Sequence, residues 1–141
     1  LPLPTGEPHD SPFGGLPLKF RNLIPFRLML PGEQAQVVVY QPAIWGRHLG
    51  VLRYQRAPTT VVVLTREHLL IARDDLTAAR AAYGIIARYC PRNRVRRLML
   101  EQTQHDLWLN VTVVQHGVEE TLRLLFEPGT EPALRALIAQ L

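Results

Sequence analysis

One thiol, five imidazoles and a dense set of guanidinium groups are the side chains of this chain that could do chemistry. Cys90 is the single cysteine, so neither an internal disulfide nor a cysteine-based zinc site can form. As a nucleophile it would need an activating base. Its neighbour Tyr89 is not one, and a buried structural thiol is expected instead. His9, His48, His68, His105 and His116 contain no pair at i, i+2 or i+4 of the kind that holds zinc. No glycine-rich phosphate loop and no Gly-x-Ser-x-Gly string occurs. These types and spacings predict no catalytic set, no metal and no cofactor. The expectation is a protein that is not an enzyme.

The cations are more suggestive. Arg47, His48, Arg53 and Arg56 fall within residues 45–58 with no acidic residue among them. Such a cluster can hold a lipid phosphate or an acidic peptide through charge-assisted hydrogen bonds. It can equally be a solvated loop whose arginine stems cover the wall of the domain. Asp74 and Asp75 are expected near the same end, offsetting its charge. At about 1 kcal/mol each, Arg47, Arg53 and Arg56 would supply roughly 3 kcal/mol of attraction to an anionic surface. That is too little for stable anchoring without an apolar insertion. Trp45, Leu49, Val51, Leu52 and Tyr54 are the apolar groups available for one, and they are expected to pack inward.

A second run, Arg88, Arg92, Arg94, Arg96 and Arg97 with Tyr89, is the densest basic stretch. It superficially suits phosphate tracking, but single-strand platforms offer several stacking aromatics on one face. Strand alternation also puts Arg94 and Arg96 on one face and Arg97 on the other. Arg92, Arg94, Arg96 and Arg97 therefore read as a basic surface, not a nucleic-acid site. Fifteen of the 16 Lys and Arg residues are arginine, yet the net charge of +4 is far below that of a committed nucleic-acid binder.

The elements that must position these groups follow from patterning. The 141 residues suit one domain, and 47% apolar with 20% charged residues is ordinary for a folded globule. No apolar run reaches the roughly 18 residues of a membrane span. Residues 1–17 hold five prolines and three glycines and read as an extended arm with few side chains to bury. Residues 18–141 then form the domain. Residues 18–30 are apolar enough to pack onto it, and Pro25 argues against a long helix. Strands are predicted at 35–44, 59–65, 68–73, 83–90, 95–101, 106–115 and 119–126, with 45–58 a long loop or irregular hairpin arm. A helical turn capped by Asp75 is expected at 74–82. After Pro128-Gly129 the period changes to that of a helix, with Thr130 as its cap and Leu134, Leu137, Ile138 and Leu141 as its stripe.

The order of these strings resembles the bacterial pleckstrin-homology (PH-like) domains. The strings are Leu30-Pro31-Gly32-Glu33, the stretch Val61 to Ile71, Pro91 to Val95, and the closing helix from Leu134 to Leu141. The resemblance covers about residues 30–141. It implies a mostly β fold, a bent seven-stranded antiparallel barrel capped by one amphipathic helix, with no enzymatic activity. It also implies a ligand end built from 45–58, 74–82 and 116–118. Family members that bind phosphoinositides carry a Lys at the end of strand one and Arg-x-Arg in strand two. This chain reads Thr59-Thr60-Val61-Val62-Val63 there and departs from that pattern. The expected role is a binding or scaffolding module working through protein–protein contact or self-association. Anionic lipid at 45–58 ranks second, with a location in the cytoplasm or at the membrane surface.

Overall fold

The computed structural model describes residues 12–74 and 84–141. The chain is mostly β, with a helix at its C-terminal end. A short helix α1 (Leu18–Leu23) is the first element of the described residues and widens into a π-helical turn over Ile24–Leu28. Pro25 has no N–H to continue the α-helical ladder, and the turn closes instead through Met29 N–H to the Ile24 carbonyl at 2.9 Å.

Among the described residues nine strands follow: β1 (Ala35–Gln41), β2 (Ile44–His48), β3 (Leu52–Ala57), β4 (Thr60–Thr65), β5 (His68–Asp74), β6 (Ile85–Pro91), β7 (Val95–Gln102), β8 (Leu107–Gln115) and β9 (Val118–Phe126). They form three antiparallel sheets, β1-β4-β5-β6, the ribbon β2-β3, and β7-β8-β9. Helix α2 (Glu131–Gln140) comes last. The seven-stranded closed barrel expected from the sequence is not formed. The sheets stay open toward one another, and residues 45–58, read as a long loop or irregular hairpin arm, lie in a hairpin that supplies two further strands. The helical turn expected at 74–82 falls largely outside the described residues; Asp74 itself ends β5.

The core explains the residue patterns. Val39, Val62, Leu64, Leu69, Ile71 and Cys90 of the four-stranded sheet face Leu98, Leu107, Leu109, Val111, Val113, Leu124 and Phe126 of the three-stranded sheet. Leu134 and Leu137 of α2 join that cluster. The opposite face of the first sheet, Val61, Val63, Leu70 and Ala72, is covered by Phe13, Leu16, Phe20 and Ile24. Strand β4 is thus sandwiched on both faces and buried at every position, which is why it reads as a continuous apolar run rather than an alternation. Strand β8 has one core face, and its sequence alternates accordingly. Phe13 and Leu16 correct the expected extended arm: from residue 12 onward this segment supplies core side chains. The stripe on α2 is narrower than expected, with Leu134 and Leu137 buried and Leu141 exposed.

Candidate functional site

Residues Ile44 to Ala57 form a hairpin that leaves the domain between β1 and β4. Its base is anchored: Ile44 and Ala57 pack with Leu125, and Trp108 lies against them. Beyond the base, Trp45, Leu49, Val51, Leu52 and Tyr54 are all exposed, Leu49 and Val51 above 80%. The expectation that these five pack inward is overturned. A two-stranded ribbon has no second layer, so once it passes Ile44 its apolar groups have nothing to meet.

Two features of the ribbon work against its own folding, and one close contact within it supports it. Leu49 occupies a left-handed conformation (φ 55°) beside Gly50 (φ 75°), in a turn closed by Val51 N–H to the His48 carbonyl at 3.3 Å. Asn or Gly is the residue that such a turn favours, and a leucine there is strained and solvated. Arg47 stands directly opposite Arg53 in the register, a like-charge pair that destabilises the ladder. The Tyr54 ring lies across Gly46 so closely that a Cβ at 46 would sit 2.6 Å from it. Glycine is required there to keep that ring in place.

The basic side chains of the hairpin divide in two. Arg47, His48 and Arg53 are exposed, and the Arg53 guanidinium sits 4.4 Å from the centroid of the Trp45 ring. Arg56 instead makes a bidentate pair with Asp106, at 2.9 and 2.7 Å. The hydrogen bond between them raises the Arg56 pKa and holds the Asp106 carboxyl below its ordinary value. No acidic residue occurs between Glu33 and Glu67. The carboxylate of Asp74 does not offset the cluster, because Lys19 pairs with it; Asp75 lies outside the described residues.

The second basic run is dispersed. Arg92 turns inward, donating to Gln36 Oε1 at 2.9 Å, to the Thr65 carbonyl at 3.1 Å and to the Gln140 carbonyl. Arg94 ends a short 3-10 turn, and the ladder slips between Val95 and Arg97, so simple alternation does not describe Arg94, Arg96 and Arg97. All three are exposed. Arg88 pairs with Glu120 at 2.6 Å. Cys90 is buried, and burial pushes its thiol pKa up, away from a reactive thiolate.

At the opposite end of β4, an open groove of about 560 Å³ is lined by Arg66, Glu67, His68, Pro91, Arg92 and Asn93. Among the described residues, no three His, Cys, Asp or Glu side chains gather as a metal site, and no helix is long and apolar enough to cross a membrane. The residues missed in the sequence are the outward Trp45, Leu49, Val51, Leu52 and Tyr54. The available signal was Leu49-Gly50 placed at a turn between two arginines. No family model, no curated protein and no solved structure matches this chain.

Proposed function

We propose that this chain is a non-enzymatic binding module of PH-like architecture that docks on anionic membrane surfaces through the hairpin β2–β3. The PH-like reading is supported by the order of elements: a four-stranded meander, a three-stranded meander and a closing helix, with the ribbon as an excursion after the first strand. The observation that carries the membrane reading is the exposed tip. Leu49, Val51 and Leu52 are 81%, 83% and 63% exposed, and Arg47, His48 and Arg53 lie immediately behind them.

Protein–protein contact, first in rank from the sequence, becomes second for a geometric reason. By strand alternation the pairs Arg47/Arg53 and Trp45/Gln55 share one face, and His48/Leu52 and Gly46/Tyr54 the other. Each face therefore carries an aromatic ring and at least one basic side chain, Arg47 and Arg53 on one and His48 on the other, with the apolar groups gathered at the end. A folded partner surface covers one face of a ribbon. A bilayer admits it end-on, burying the tip among acyl chains, the arginines among phosphates and the aromatic rings at the interface. The anionic cytoplasmic leaflet matches the charge.

The test is sedimentation with vesicles of phosphatidylcholine alone or with phosphatidylserine added. Binding to the anionic vesicles, reduced to a weak remainder in a variant with Leu49, Val51 and Leu52 all changed to Ser, is expected. A folded wild-type chain that ignores anionic vesicles, yet cross-links to a protein from a photoreactive group at position 51, would return protein contact to first place.

A further inference from the structure

Arg56 belongs by sequence to the same basic cluster as Arg47 and Arg53, yet its surroundings differ from theirs. It lies four residues along β3 from Leu52, about 13 Å at the rise of an extended strand. With Leu49 and Leu52 among acyl chains, that distance puts Arg56 behind the phosphate layer. Its guanidinium is also engaged at both ends of the fork by Asp106.

Asp106 is itself well placed to serve as a fixed point. It closes the turn between β7 and β8, where its carbonyl accepts the Thr103 N–H at 3.0 Å. The neighbouring Trp108 packs against the hairpin base and carries the Arg123 guanidinium 4.1 Å from its ring centroid. Glu101 Oε2 in turn accepts from Arg123 at 3.1 Å and from Asn110 at 3.2 Å. The three-stranded sheet thus presents a braced platform beside the ribbon, and Arg56–Asp106 joins the ribbon to it above the apolar base.

We infer that Arg56 is a positioning residue that, through Asp106, holds the hairpin at a set angle to the domain, and is not a contact for lipid phosphate. This rests on the membrane reading for its consequence, but the strut itself does not. A two-stranded ribbon is marginally ordered by its own ladder. Fixing its direction keeps Leu49, Val51 and Leu52 presented together, so that less ordering remains to be done on docking.

The sign of one substitution separates the two roles. Asp106→Asn removes a negative charge near the docking face. If Arg56 were a lipid contact, releasing it from Asp106 would tighten binding to phosphatidylserine vesicles. As a strut, its loss weakens binding by about two- to fivefold, the range for an exposed bidentate pair. Arg56→Gln should weaken binding equally and leave its salt dependence unchanged, whereas Arg47→Gln should reduce that dependence. The exchanged pair Arg56→Asp with Asp106→Arg should restore both affinity and ribbon order. Hydrogen exchange of the amides of residues 45–56 gives a readout independent of lipid: faster in Asp106→Asn, recovered in the exchanged pair. Tighter vesicle binding by Asp106→Asn overturns the inference, as does unchanged exchange in the ribbon. If the wild-type chain does not bind vesicles at all, the membrane reading falls and the strut is decided on exchange alone.

Discussion

The Thr130 hydroxyl donates to Gln41 Oε1 over 2.7 Å, and the same oxygen accepts the Glu127 N–H at 3.0 Å. Gln41 is buried at the end of β1, and its Nε2 donates to the Pro42 carbonyl at 3.1 Å. One side chain therefore ties the last residue of the first strand to the chain entering α2. Thr130, expected as the helix cap, makes no capping hydrogen bond and spends its hydroxyl on this link. Gln41→Leu should destabilise the fold by about 1–3 kcal/mol, because two part-buried donors lose their acceptor. Thr130→Val should cost about 1 kcal/mol, and the two losses should not add. Urea titration reads both as shifts in midpoint at constant slope. Additive losses would show that the two groups act separately.

Phe13 and Leu16 pack on Val61, Val63, Leu70 and Ala72 from the outer face of the first sheet. Phe13→Ala should therefore cost about 3 kcal/mol, near the lower end for a buried aromatic. That is comparable to Leu134→Ala on the opposite side of the molecule, for which about 2–5 kcal/mol is expected. Thermal unfolding of the two variants checks this. A melting temperature unmoved by Phe13→Ala would mean that the N-terminal layer does not contribute to stability.

How far the sequence could be read depended on whether a residue's partner was local. The hairpin of β4 and β5, the alternation of β8 and the helical period of α2 are all legible, because each pattern repeats within its own element. Phe13 and Leu16 were hidden by prolines and glycines, which forbid a regular element but not burial. The site was half legible. Its basic side chains were visible as Arg47, His48, Arg53 and Arg56. That Arg56 belongs to Asp106, fifty residues away, was not. Nor was the direction of Leu49 and Leu52: apolar residues usually mark a core, and only the lack of a layer over the ribbon puts these outside.

Three carboxylates, Glu101 and Glu120 exposed and Asp106 half-buried, set a pH dependence with a definite sign. The side-chain hydrogen bond from Arg56 holds Asp106 below its ordinary pKa, Arg88 does the same for Glu120, and Asn110 followed by Arg123 for Glu101. A depressed carboxylate contributes stability that is complete above its unfolded pKa, near 4, and is lost as pH falls through the lower folded value. Stability should thus be insensitive to these groups from pH 5 upward and decline below about pH 4. Solvent screening keeps each contribution small. Acid titration followed by circular dichroism, with Arg56→Gln/Asp106→Asn beside the wild type, checks the assignment. The double variant should show a shallower decline, and an identical curve would remove this pair from the account.

The two solvent-facing arginines and the apolar tip should make separable contributions to docking. At about 1 kcal/mol for each basic side chain at an anionic surface, Arg47→Gln with Arg53→Gln should weaken binding to phosphatidylserine vesicles by roughly thirtyfold at low salt. Raising the salt should bring the wild type toward the variant, since the attraction is screened over about 8–10 Å at physiological strength. Changing Leu49, Val51 and Leu52 to Ser should act differently. Full burial of each is worth up to about 1.5–3 kcal/mol, so their loss should remove most of the affinity at any salt concentration and leave only a weak, salt-sensitive remainder. Vesicle titrations at several salt concentrations read both slopes. Trp45 supplies an optical signal once Trp108 is changed to Phe: its emission should shift to the blue on docking and fail to shift in the serine variant. An arginine variant that binds as tightly as the wild type would mean that Arg47 and Arg53 do not face the lipid, and the like-charge pair they form across the ribbon would then have no role in docking.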